Sequence, residues 1–204
     1  AQATSRIKLG PLAVSPFEMH PLKIVNALLT LNEMSDGRAR VAVGAGEGNI
    51  TVMGLSTPKK IVLAIRETIE ILTAARDNSL NEIYDGEVFQ VNVPCDFSWA
   101  KANKPMIYGT AYKHMMMRME GRVADGVYIG ATPPEIIFSA IDNINIGIGD
   151  GGSSQLAASA TQHKYYGLSA VASFAAASEH EEETTKVNVS HQAKEGSQLT
   201  VKTP

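Results

Sequence analysis

Ile7-Lys8-Leu9-Gly10-Pro11-Leu12-Ala13-Val14-Ser15-Pro16 is the stretch on which the fold turns. Its apolar residues make a strand, but proline cannot donate to a ladder and glycine has no side chain to pack. The strand is therefore distorted or bulged around Gly10-Pro11. A helical pattern follows from about Pro21 to Met34, with Ile24, Leu28 and Leu31 on one stripe and Val25 beside it. Ser35-Asp36-Gly37 stops it, and Arg40 to Val43 is a second short strand.

That strand runs into Gly44-Ala45-Gly46-Glu47-Gly48-Asn49, glycine-rich enough to be read as loop throughout. From Pro58 to about Ala75, Ile61, Ile65, Ile69 and Leu72 recur at helical spacing while Arg66, Glu67 and Glu70 take other faces, which describes a half-buried helix. Tyr84 to Phe89 carries an Asp-Gly turn and reads as a small hairpin or extended excursion, and Pro94 to Lys104 as loop. Met106 to Thr110 is a third strand, Tyr112 to Gly121 a helix and Val127 to Ile129 a fourth strand. Thr132-Pro133-Pro134-Glu135 opens another helix with Thr132 as N-cap and Glu135 closing a capping box.

Strands alternating with amphipathic helices build a parallel sheet covered by helices, either a barrel or an open doubly wound sheet; periodicity does not choose between them. Beyond Gly147 the pattern decays. Ile148 to Gly152 is turn-like, Leu156 to Ala177 is rich in Ala and Ser, and Ser178 to Pro204 is polar and charged. The organisation expected is a β/α region over 1–150 and an unassigned C-terminal segment over 151–204.

With 44% hydrophobic and 19% charged residues, the 204-residue chain has the make-up of an ordinary globular domain. A formal charge of -3 with no dense Lys/Arg cluster argues against nucleic acid as a partner. Cys95 is the only cysteine, so an intrachain disulfide or thiolate metal cluster is excluded and a reducing cytoplasm fits best. No apolar run approaches the roughly 18 residues that span a bilayer, and no membrane partner is expected. His163, His180 and His191 lack a carboxylate or cysteine at ligand spacing, so no metal site is expected.

The motifs admit bland and functional readings. Gly44-Ala45-Gly46-Glu47-Gly48 is GxGxG rather than GxGxxG, and the next helix does not follow directly, which weighs against a dinucleotide fingerprint. A plain turn is one alternative. The other is that glycines after a buried strand let the backbone approach a flat ring, with Glu47 at the C-terminal rim where barrel enzymes place their chemistry. His20, at a helix start, reads as a structural hydrogen-bonding residue ahead of a base. The run Met115-Met116-Met117 with Met119 reads as core packing. Lys113 and His114 begin a helix, where amides and the dipole favour an anion, or else form a solvated basic turn.

Taken together, Leu9 to Phe17, His20-Pro21, Leu31 to Arg38 and Val43 to Gly46 resemble the bacterial luciferase-like superfamily. Within it the nearest resemblance is to the deazaflavin-dependent 5,10-methylenetetrahydromethanopterin reductases, carried by Gly10-Pro11, Pro16, His20-Pro21, Ile107-Tyr108, Ala111, Met115-Met116, Gly121 and Asp125-Gly126. It covers roughly Ile7 to Ile148. The resemblance implies an α/β fold, a luciferase-like (β/α)8 TIM barrel that is incomplete, entered at the family's third strand with the first two strands absent. It implies a non-proline cis peptide between Leu12 and Ala13, in a bulge that supports the back of the cofactor ring. It further implies that Gly44, Ala45 and Gly46 line the ring, that Glu47 faces substrate as a proton donor or electrostatic partner, and that Thr110, Ala111 and Lys113 receive the cofactor phosphate. The family usually has Gly-Pro where this chain has Lys113-His114.

The activity implied is hydride transfer between reduced deazaflavin, coenzyme F420 (8-hydroxy-5-deazaflavin), and a C1-carrying tetrahydropterin, methylene to methyl, in methanogenesis or related one-carbon metabolism. The alternatives are an FMN-dependent luciferase-like monooxygenase and a non-catalytic flavin-binding relative. Relatives associate through helices like Pro21 to Met34, so a homo-oligomer is expected.

Overall fold

Of the opening apolar stretch only Leu12–Val14 pairs as a strand, β1, and it is irregular as its sequence predicts. It runs parallel to β2 (Arg40–Val43), matching Leu12 to Ala42 and Val14 to Val43 with the register shifting between them. The Leu12–Ala13 peptide is cis. Upstream, Leu9 makes an isolated parallel bridge to Ala39. The computed structural model describes residues 1–56, 58–129, 134–150, 156–164, 168–176, 186–189 and 199–202. The chain divides into two units, Ala1–Gly109 and Thr110–Pro204.

Between β1 and β2 lies α1 (Pro21–Met34). His20 caps it: Leu22 N–H donates to His20 Nδ1 at 3.2 Å, and Pro21 fills the first position, where no amide is needed. The buried stripe is Ile24, Val25, Leu28 and Leu29, extended by Asn32; Leu31, expected on it, is half-buried. Asn32 has polar partners for its burial, accepting from Ala39 N–H at 3.2 Å and donating to Asn103 O at 2.8 Å. After β2 comes a short helix, α2 (Glu47–Val52), where the sequence suggests loop. Gly46 precedes it in the left-handed region (φ 69°), and buried Ile50 anchors it.

The next helix, α3 (Ile61–Arg76), starts three residues later than the periodicity predicts, because Lys60 turns into the left-handed region (φ 55°) ahead of it. Ile65, Ile69 and Leu72 are buried as expected. Glu67, assigned by spacing to another face, is buried too. Strands β3 (Tyr84–Asp85) and β4 (Gln90–Val91) form the expected hairpin, and β5 (Met106–Ala111) pairs in parallel with β2 from Arg40↔Met106 to Val43↔Gly109.

In the second unit, α4 (His114–Val123), β6 (Gly126–Ile129) and α5 (Pro134–Asp150) follow in order. Met117, Val127, Ile129, Ala140 and Ile144 form its core. The Thr132 cap lies outside the described residues. Helix α5 continues to Asp150 through Ile148 and Gly149, where the sequence suggests a turn. Strands β7 (Leu156–Lys164) and β8 (Leu168–Ala176) form an antiparallel pair, and β8 lies antiparallel to β6. Strands β9 (Lys186–Val189) and β10 (Leu199–Lys202) pair separately.

Candidate functional site

The predicted ring-binding residues of the first unit come together at the C-terminal ends of β1 and β2. Gly44 N–H donates to Val14 O at 2.9 Å, which carries the parallel pairing one step past β2 and brings the glycine loop alongside the exit of β1. Ser15 then ties the two segments. The residue is 3% exposed, and its hydroxyl donates to Ala45 O at 2.8 Å and accepts from Phe17 N–H at 3.3 Å. On the β1 side Leu12 is 62% exposed and Ala13 is exposed, so this stretch offers an open apolar shelf. On the other side Ala45 and Gly46 are half-buried and carry almost no side chain, while Gly44 is buried. A planar ring needs such a shelf and a backbone able to approach it, so these residues fit a flavin-like group.

Gly46 holds the turn into α2. A Cβ there would come within 2.7 Å of Ser15 Cβ and 2.8 Å of Glu18 Oε1, and φ is already positive, so no other residue fits without displacement. Glu47 is the first residue of α2, not a loop residue; its side chain lies outside the described residues. Spacing did not single out Ser15 or Glu18. Ser15 falls within the Leu9 to Phe17 stretch that carries the family resemblance, and Glu18 directly follows it.

The predicted phosphate residues lie in the second unit. Thr110 and Ala111 end β5, and Lys113 stands extended as the N-cap of α4 with its side chain making no capping bond. Ala111 is 1% exposed, so it offers backbone only; Tyr112, Lys113 and His114 are exposed. An uncapped first turn with a neighbouring ammonium group is chemically suited to an anion. Within α4, Met117 and Met119 are core, as expected of the methionine run, while Met115 is 62% exposed.

Other titratable groups have structural surroundings. His20 is the α1 cap and meets Phe89 edge to face at 5.7 Å, which agrees with its structural reading. Tyr84 donates to Glu70 at 2.7 Å, and burial, reinforced by that carboxylate, raises its hydroxyl above the usual phenol range. Glu120 on α4 is fully buried, and both its oxygens lack a hydrogen-bond partner among the described residues. Burial pushes its pKa well above the usual carboxyl value; the Thr110 amide favours the charged form without completing a bond. Among the described residues no group of three or more His, Cys, Asp and Glu side chains could hold a metal ion, and no helix is long and apolar enough to cross a membrane.

A family model described as luciferase-like monooxygenase matches residues 1–190. A 5,10-methylenetetrahydromethanopterin reductase from Archaeoglobus fulgidus is 31% identical over 156 residues, covering 76% of this chain and 46% of its own length. A protein of the same name from Methanopyrus kandleri is 30% identical over 175 residues, 76% of this chain and 48% of its own. The solved structure of a coenzyme F420 dependent tetrahydromethanopterin reductase from Methanopyrus kandleri superposes with a TM-score of 0.64 at 28% identity, covering 73% of this chain and 47% of that one. The chain thus spans about half the length of the relatives it matches. Its α/β architecture is of the luciferase-like TIM-barrel type. On the extent of the family match and the fold, this chain belongs to the luciferase-like family.

Proposed function

We propose that this chain carries part of the active site of an oxidoreductase that moves a hydride between reduced coenzyme F420 and a C1-carrying tetrahydropterin, methylene to methyl. The observation that carries the reading is the joining of the irregular β1 to the Gly44–Gly46 loop through Val14 and Ser15, in a chain similar to proteins named for that reaction. When bound, the reduced deazaflavin supplies the hydride. Leu12 and Ala13 would back the ring, and Gly44, Ala45 and Gly46 would line it with backbone. Glu47, at the head of α2, would hold a proton or a negative charge toward the pterin. In the second unit, the segment from Thr110 and Ala111 to Lys113 would suit a phosphate group, with Lys113 adding charge. The protein's contribution is orientation and electrostatics, since the cofactor carries the chemistry. On this reading the protein is cytoplasmic and homo-oligomeric, and its mass in native solution tests the latter.

Titration with coenzyme F420, followed by anaerobic oxidation of the reduced coenzyme by methylenetetrahydromethanopterin, tests the proposal. Saturable binding and turnover are expected, and Glu47→Gln should slow turnover by roughly 10²-fold or more. Binding of FMN with oxygen consumption, and none of coenzyme F420, would overturn it in favour of a monooxygenase, the activity for which the family model is named. Ring binding without turnover would leave a non-catalytic relative.

A further inference from the structure

We infer that Ser15 is a positioning residue that sets the orientation of the Ala45–Gly46 peptide in the ring-lining loop; this rests on the function proposed above. A trans peptide is planar, so its carbonyl and its N–H point in opposite directions. With Ala45 O bonded to Ser15 Oγ at 2.8 Å, the Gly46 N–H of the same plane is turned away from Ser15. The hydroxyl has no freedom to choose otherwise. Its acceptor side takes Phe17 N–H at 3.3 Å, which leaves its proton for Ala45, and at 3% exposure water is a poor substitute.

Such a lock is needed because of the residue that follows. Glycine tolerates either sign of φ, so a peptide preceding Gly46 can reverse with little backbone penalty. Reversal would exchange the positions of the Gly46 N–H and the Ala45 carbonyl oxygen, and would reset the φ of 69° from which α2 and Glu47 start. The surroundings oppose any bulkier solution: a Cβ on Gly46 would meet Ser15 Cβ at 2.7 Å, Glu18 Oε1 at 2.8 Å and Ser15 Oγ at 3.0 Å. Ser15 thus combines two functions in one small side chain. It leaves room for the glycine, and it decides which face of the peptide the ring meets.

The test compares wild type with Ser15→Ala, Ser15→Thr and Ser15→Cys. Fluorescence titration with coenzyme F420, amide hydrogen exchange at Gly46 and Ile50, and thermal melting are read on each. Loss of the bond in Ser15→Ala should weaken coenzyme F420 by up to about tenfold and speed exchange at Gly46, with a melting temperature close to wild type. Ser15→Thr keeps the hydroxyl and should restore most of the affinity; Ser15→Cys, a weak donor of similar size, should fall between. If Ser15→Ala does not fold, the order of wild type, Thr and Cys decides. Affinity and Gly46 exchange indifferent to the hydroxyl, in a protein whose wild type binds coenzyme F420, overturn the role of Ser15 alone. A wild type that does not bind it overturns the functional reading and this inference together.

Discussion

Glu67 on α3 and Glu120 on α4 are both withdrawn from solvent, 2% and 0% exposed, yet their surroundings are opposite. Glu67 accepts from the backbone N–H groups of Glu87, Val88 and Phe89 at 2.8, 2.9 and 2.8 Å, so one carboxyl group ties three amides of the β3–β4 loop to the helix. Glu120 has no such partner among the described residues. Burial of a polar group is costly unless hydrogen bonds replace those lost to water. The first carboxyl therefore organises its unit, and the second is a local liability that the core of its unit tolerates.

Breaking the satisfied site should have the largest effect. Glu67→Ala orphans three amides at once and should cost about 3 kcal/mol or more, read as a lower melting temperature and as loss of exchange protection confined to Tyr84–Val91. An unchanged melting point would mean that water replaces the carboxyl and that the contrast is empty. Next, Glu120→Met fills nearly the same volume without a polar group and should stabilise by about 1–3 kcal/mol, measured by denaturant unfolding; a loss of stability would reveal a partner for that carboxyl.

The same contrast predicts a pH dependence. Because the folded-state pKa of Glu120 is raised by burial, the folded chain holds this proton where the unfolded chain releases it. Its contribution is therefore fully present below the ordinary value of about 4.5 and is lost as pH rises toward the raised folded value. The stability difference between wild type and Glu120→Gln should drift against wild type as pH climbs from that point, and a flat difference would contradict the assignment. Smallest of all is the Lys60–Glu87 ion pair on the same hairpin loop, with side chains 54% and 59% exposed. Lys60→Ala should change stability by no more than a few tenths of a kcal/mol, which would show that the carboxyl beneath holds the hairpin, not the ion pair above it.

Much of this arrangement was legible in local pattern. The span of α1 follows from a helical period bounded by His20-Pro21 and Ser35-Asp36-Gly37, and β2 is a short β-branched run. An irregular first strand is legible in Gly10-Pro11, although the register shift itself falls between Leu12 and Val14. Other readings failed where a distant partner decided. The pattern decays after Gly147, yet α5 runs on to Asp150; a Cβ on Gly147 would lie 2.0 Å from Arg118 O, and one on Gly121 2.4 Å from Ile144 O. These glycines let α4 and α5 approach, so α5 continues through one of them. Glu67 looked solvent-facing because its three donors lie some twenty positions on, beyond any window that periodicity samples.

For the candidate site the division is similar. The residues at Leu12-Ala13, Gly44 to Glu47 and Thr110 to Lys113 were marked by their order along the chain and their resemblance to a family. The bond that joins Ser15 to Ala45 spans thirty positions and depends on two strands lying side by side. Sequence alone determined most of the strands and helices of the β/α region and nominated the segments proposed to bear chemistry, because caps, turns and amphipathic periods act over a few residues. Only the tertiary structure decided which buried polar groups find partners, since hydrogen-bond donors and acceptors far apart in the chain meet only after the chain has packed.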